Sequence, residues 1–246
     1  MEFGMSLRPL VGIMCCNEFA QRPVQAVATR FIEPVARYSG AIPVLVPALP
    51  DSFEAAALAS RLDGLLLTGS RSNVAPHRYG SACEIERPFD ERRDEAAFRL
   101  ASHMIEKNRP VFGICRGMQE LNVLYGGTLT CGLGGDHHGG DIDYEDQFAN
   151  RHGVELVAGG HLAADVPNLR IDVTSVHQEG VDRLGTGLRA EAFALDDGLV
   201  EAFAAPSEPV LAVQWHPEWQ VDKCRNGQRF FGLLGNALAG ELRLPS

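Results

Sequence analysis

Residues 109–127, RPVFGICRGMQELNVLYGG, constrain this chain more than any other stretch. Val111-Phe112-Gly113-Ile114 reads as a buried strand and runs straight into Cys115. Beyond it, Met118, Leu121 and Tyr125 recur at steps of three and four, the spacing of a helix face, until Gly126-Gly127 stops the helix. A thiol on a sharp strand-to-helix turn has the form of a nucleophile elbow. Gly113 and Gly117 flank it, as expected where side chains would crowd a tight turn. At a helix N-terminus the dipole and open N–H groups favour thiolate over thiol. Most free cysteines are buried small hydrophobes, but the G-I-C-R-G setting favours a nucleophile.

The first half of the chain alternates strand and helix patterns. Residues 9–16 (PLVGIMCC), 42–49 and 65–67 are apolar runs suited to buried parallel strands, with Pro43 and Pro47 making the second irregular or an edge. Between them, Pro23 opens a helical rhythm that Pro34 should kink or break and Gly40 closes. Asp51 and Glu54 have capping-box spacing for a helix to Leu62. Asp90 can cap a helix with Ala97, Leu100, Ala101, Met104 and Ile105 on one face. This alternation predicts an α/β fold with a doubly wound, mostly parallel sheet, whose site lies outside the carboxyl ends of the strands. Cys115 and the Thr68-Gly69-Ser70 loop both sit at such ends.

The second half is less regular. Residues 131–150 read as loop, and residues 152–157, 170–175, 188–195, 200–203 and 210–213 as short extra strands. Gly180-Val181-Asp182 and Asp196-Asp197-Gly198 read as turns, and a last helix carries Phe230, Phe231, Leu234, Ala237 and Leu238. No repeat or linker divides residues 1–246, so one domain is expected. Residues 1–8 are expected to be disordered, with Met1-Glu2-Phe3-Gly4 resembling a vector remnant.

A net charge of −10 argues against nucleic-acid or anionic-membrane partners, both of which need basic patches. No apolar run reaches membrane-spanning length, and no secretory signal pattern opens the chain. Six cysteines without C-x-x-C spacing, one of them a candidate nucleophile, point to the cytoplasm.

Gln214-Trp215-His216-Pro217-Glu218-Trp219 follows the apolar run at 210–213. In an extended segment His216 and Glu218 face the same side, and Pro217 stiffens their spacing. A lone H-x-E is more often a surface pair. Joined to the cysteine elbow, it completes a Cys115-His216-Glu218 triad of nucleophile, base and orienter. Gly69-Ser70 can offer backbone N–H groups to an oxyanion. Residues 174–177 (TSVH) either line the pocket or form a structural turn. Asp136-His137-His138 with Asp141 suggests a metal, but reads better as a solvated polar loop because nothing fixes the ligands on a rigid element. No phosphate-binding glycine motif is present.

The stretches GICRGMQ (113–119) and QWHPE (214–218) resemble the class I glutamine amidotransferases. With GSRSNV (69–74), PHRYG (76–80), Arg93-Asp94 and SVH (175–177), they are most similar to the γ-glutamyl-γ-aminobutyrate hydrolases of putrescine breakdown. The resemblance implies a flavodoxin-like fold and hydrolysis of a γ-glutamyl amide through a cysteine thioester, with no metal or other cofactor. It assigns Cys115 as nucleophile, His216 as base and Glu218 as orienter. The oxyanion hole would be the backbone N–H groups of Ser70 and Arg116, and Gly69, Gln119, Ser175, Val176 and His177 would hold the glutamyl group. The implied partner is a small-molecule γ-glutamyl amide, in a monomer or homo-oligomer. Arg71, Thr174 and Gln178-Glu179 depart from the family pattern and put the differences in the segments expected to select substrate. A glutaminase subunit feeding ammonia to a separate synthase is the alternative; a non-catalytic binding module fits the intact triad poorly.

Overall fold

A computed structural model of the protein describes residues 7–81, 88–131, 133, 137 and 144–242. The strands are β1 (Leu10–Met14), β2 (Cys16–Phe19), β3 (Pro23–Ala26), β4 (Ile42–Val46), β5 (Gly64–Leu67), β6 (Val111–Ile114) and β7 (Thr128–Cys131). They continue as β8 (Arg151–Leu156), β9 (Arg170–Thr174), β10 (Glu179–Arg183), β11 (Arg189–Ala194), β12 (Val200–Ala205) and β13 (Val210–Val213). The helices are α1 (Thr29–Tyr38), α2 (Ala55–Ala59), α3 (Glu91–Glu106), α4 (Arg116–Leu124), α5 (Tyr144–Gln147) and α6 (Arg225–Leu238). Among the described residues no helix is long and apolar enough to cross a membrane.

One mixed sheet organises the molecule, in the order β4-β1-β5-β6-β13-β12-β11-β8-β9, with β10 joined to β12 and β7. Its first five strands are parallel, and from β13 outward the pairing is antiparallel. Inside the edge strand β4, which leaves Ile42 and Leu45 exposed, the parallel strands β1, β5, β6 and β13 are buried on both faces, and their side chains alternate between two cores. Leu66, Phe112, Ile114, Leu211 and Val213 join Phe31, Val35, Phe230 and Phe231 of α1 and α6. Leu65, Leu67, Val111, Val210 and Ala212 join Leu100, Met104, Met118 and Leu121 of α3 and α4. Helices therefore cover both faces, as the strand–helix alternation required.

Local reading failed where long-range pairing took over. Pro23 does not start a helix. It lies in β3, which pairs with β2, and Gln25 there bonds Asn17 and the Ala48 N–H, so α1 begins only at Thr29. Glu54 caps α2 without a side-chain hydrogen bond, so the expected capping box is not formed and the helix ends at Ala59. Gly180-Val181-Asp182 is strand, not turn, because β7 and β12 both pair with β10. Arg8, expected outside the ordered chain, is tied to it by bonds from its guanidinium to the Ala36, Gly40 and Ala41 carbonyls. Asp90 does cap α3, accepting from the Arg93 N–H.

Two glycines set how closely α4 lies on the sheet. A Cβ at Gly113 would come within 2.7 Å of the Gly117 carbonyl, and one at Gly117 within 2.2 Å of the Leu67 carbonyl oxygen. Both neighbours are backbone and cannot swing aside. Gly117→Ala should therefore cost about 1–3 kcal/mol as an overpacked site, lowering the melting temperature by roughly 2–4 °C per kcal/mol in a chain this size. Gly232 in α6 has open space around its Cβ position, so Gly232→Ala should stabilise by about 0.5–1 kcal/mol through helix propensity. Thermal and urea unfolding of both variants checks the opposite signs.

Candidate active site

Three neighbouring parallel strands deliver the site. The carboxyl ends of β5, β6 and β13 lead into Thr68-Gly69-Ser70, Cys115 and residues 214–218 respectively, and the sheet order makes these three ends adjacent. The β6–β13 register pairs Ile114 with Val213, and the Cys115 N–H donates to the Val213 carbonyl at 2.8 Å. The thiol and the segment bearing His216 must therefore emerge side by side.

Cys115 occupies φ +52°, ψ −108°, a conformation rarely adopted by a residue with a side chain. It lies between the last residue of β6 and the first of α4. The open N–H groups of the first α4 turn begin at Arg116. His216 and Glu218 are both buried, and His216 Nδ1 lies 2.7 Å from Glu218 Oε1. That bond places the Nδ1 proton toward the carboxylate and leaves Nε2 for the thiol. Gly69 stands against both groups: a Cβ there would be 3.2 Å from His216 Cε1 and 3.5 Å from Cys115 Cβ. Burial disfavours the charged His216 ring, but Glu218 and Cys115 outweigh it and hold the imidazolium well above the usual histidine range.

The thiol opens onto a cavity of about 810 Å³. Cys115, His216, Gly69, Ser70, Arg116, Gln119, Val176 and His177 line it. Gln119 Nε2 donates to the Glu179 carbonyl at 2.9 Å and to Gln214 Oε1 at 3.2 Å, which fixes its amide. Ser175 is not among the lining residues; it is fully buried and its hydroxyl donates to the His137 carbonyl at 3.0 Å. His137, expected in a solvated loop, is buried, whereas Asp136, His138 and Asp141 lie outside the described residues.

The supporting contacts of several residues had no local signal. Beneath the elbow, the buried Arg116 guanidinium pairs with Asp94 Oδ1 at 2.6 Å and with Glu120. Arg93 bonds Glu120 Oε1 at 3.1 Å and the Thr68 carbonyl. The network ties α3, α4 and the Thr68-Gly69-Ser70 loop together. Over His216, the Phe148 ring packs edge-on at 5.0 Å and stacks on Trp219 at 4.2 Å, with Arg30 above Phe148 and 3.5 Å from Glu218. Arg93-Asp94 carry part of the family resemblance and Arg116 stands in the elbow, but neither signal shows their buried ion pairing, and Phe148 follows a stretch without periodicity, so only the fold reveals these supporting contacts.

Known proteins are similar to this chain over most of its length. A sequence profile of the peptidase C26 family matches residues 9–218. A γ-glutamyl-γ-aminobutyrate hydrolase of Escherichia coli (strain K12) is 36% identical over 221 residues, covering 86% of each chain. A provisionally assigned glutamine amidotransferase of Mycobacterium tuberculosis is 32% identical over 250 residues, covering 95% of this chain and 76% of its own. Among solved structures, a Thermoplasma acidophilum protein provisionally assigned as one chain of a GMP synthase superposes with a TM-score of 0.67 at 20% identity, covering 95% of this chain and 96% of its own. That last likeness concerns the fold.

The charge relation between Glu218 and His216 is directly measurable. Glu218→Gln removes the negative charge that favours the imidazolium while keeping the side chain's shape. The His216 titration, followed by NMR of its ring protons, should move to lower pH. An unchanged or higher midpoint would show that Glu218 does not govern the ring.

Proposed function

The chain belongs to the peptidase C26 family of class I glutamine amidotransferase-like proteins, cysteine-type amide hydrolases, and from that membership we propose that it hydrolyses the γ-glutamyl amide bond of a small γ-glutamyl amine. A γ-glutamyl-γ-aminobutyrate-like compound of putrescine breakdown is the substrate class, and the reaction runs in the cytoplasm. The observation that carries this reading is the convergence of Cys115 and His216 on one cavity, with Glu218 bonded to His216 from behind.

The chemistry follows from those positions. The Cys115 thiolate, paired with the His216 imidazolium, attacks the γ-carbonyl carbon. Negative charge develops on the carbonyl oxygen, where the backbone N–H groups of Ser70 and Arg116 receive it; each such donor is worth about 3–4 kcal/mol in the transition state. His216 passes its proton to the departing amine nitrogen, the C–N bond breaks, and a glutamyl thioester remains on Cys115. His216, now neutral, takes a proton from water as the water attacks the thioester. Collapse releases glutamate and restores the thiolate. Glu218 holds the ring in the required tautomer throughout, as a positioning residue. Gly69, Gln119, Val176 and His177 form the wall against which the glutamyl group lies. Ser175 acts from behind that wall, through its bond to the His137 carbonyl.

Purified protein, given a panel of γ-glutamyl amines and glutamine, should release glutamate from substituted amines without a partner. Turnover confined to glutamine and dependent on a synthase would instead support an ammonia-delivering role. Cys115→Ser should keep the fold and lose on the order of 10³-fold or more in turnover. His216→Ala should lose about 10²–10⁴-fold, and Glu218→Gln less than that. Near-normal rates in Cys115→Ser would sink the assignment.

A further inference from the structure

Behind the cavity wall lies a second cluster, distinct from the catalytic triad. His137 reaches it from the segment between β7 and α5, His152 from β8, His177 from just after β9 and Glu201 from β12. All four are buried, and one ligand-type atom from each lies within 4.8 Å of the others. The Glu201 oxygens stand 3.4 Å from His177 Nε2, 3.6 Å from His137 Nδ1 and 3.6 Å from His152 Nε2. None of these five atoms has a hydrogen-bond partner.

The outer atoms of two rings determine where their lone pairs point. His177 Nδ1 faces the Glu179 carbonyl oxygen at 3.1 Å, which can only accept, so Nδ1 carries the proton. His137 Nε2 faces Asp197 Oδ2 at 2.9 Å, so the proton is on Nε2. In the neutral rings the inner nitrogens, His177 Nε2 and His137 Nδ1, then present lone pairs to a carboxylate, an arrangement that repels unless a cation stands between them. Charge-assisted N–H···O bonds would close to about 2.7–2.9 Å. The 3.4 and 3.6 Å from Glu201 Oε1 to His177 and His137 are instead near the edge of a tetrahedron around zinc, about 3.3–3.4 Å for bonds of roughly 2.0–2.1 Å; His152 stands 3.6 Å from Oε2, and the four ligand atoms, within 4.8 Å of one another, would draw in around an ion. An acceptor on the outer nitrogen of each of two ligating rings is also the usual support for a metal-bound imidazole.

We propose that His137, His152, His177 and Glu201 bind one zinc(II) ion in a closed, four-ligand structural site. Three neutral imidazoles and one carboxylate suit zinc, and four protein ligands leave no position for substrate. The ion fastens the segment carrying His137 to β8, β12 and the wall residue His177. That crossing is already marked by the His177 N–H bond to the His137 carbonyl at 2.9 Å. It therefore positions the wall of the cavity, takes no part in bond cleavage, and does not depend on the substrate reading above.

The test uses the full chain with Cys115→Ser, so that the catalytic thiol cannot capture metal. After dialysis against a chelator, calorimetric titration with zinc chloride should give one equivalent bound per chain and a higher melting temperature. Cobalt(II) chloride should give the strong visible absorption of a four-coordinate site. His137→Ala, in the connection between β7 and α5, should abolish one-to-one binding while circular dichroism shows the fold retained. Asp197→Asn, at a half-exposed position, should weaken zinc binding about 10–100-fold. Absence of one-to-one binding in the Cys115→Ser chain, or undiminished binding in both variants, would overturn the proposal.

Discussion

A cysteine held at positive φ is the constraint on which the site depends. A backbone of this kind costs on the order of 1–3 kcal/mol and persists only where its surroundings over-determine it. Here the Cys115 N–H is bound to β13, the following helix leans on the Leu67 carbonyl with only a glycine between them, and Gly113 lets the turn close. The reward is directional. The thiol stands at the strand ends, beside the open N–H groups of α4 and near His216, three residues beyond β13.

The charges beneath the elbow serve the same end. Arg116 contributes its backbone at the mouth of the cavity while its guanidinium turns inward to Asp94 and Glu120. Arg93 carries the connection on to the Thr68 carbonyl. Buried ion pairs contribute little net stability once desolvation is counted, but removing one partner leaves an uncompensated charge. The network therefore fixes the relative position of the two backbone segments, at Ser70 and Arg116, that flank the thiol. Aromatic packing acts from the other side, where Phe148 and Trp219 shield the His216–Glu218 bond from water and so strengthen it.

The histidines around the cavity fall into two environments separated by one wall. His216 faces the cavity, where Glu218 and the thiol favour its charged form. His177 lines the same cavity, yet its inner nitrogen turns away toward Glu201, His137 and His152. Nothing in a local pattern distinguishes the two. His137 looked solvated because its neighbours are glycine and aspartate, and it is buried because His152 of β8, Glu201 of β12 and the segment after β9, at Ser175 and His177, close on it.

The sequence by itself determined what depends on near neighbours. The run at 111–114, the thiol after it and the helical spacing beyond it specify the elbow, because strand and helix periods are set within a few residues. His216 and Glu218, two residues apart, are bonded to one another as read, but in a turn closed by the Trp219 N–H on the His216 carbonyl at 3.2 Å, not on the expected extended segment. Only the tertiary structure decided which strand ends become adjacent, that residues 179–183 and 128–131 pair as strands, and that His137, His152, His177 and Glu201 meet. Those facts follow from strand order and register across the sheet, where hydrogen bonds join residues tens of positions apart. Local spacing fixes the face on which a side chain lies, but the order of the strands fixes what it meets there.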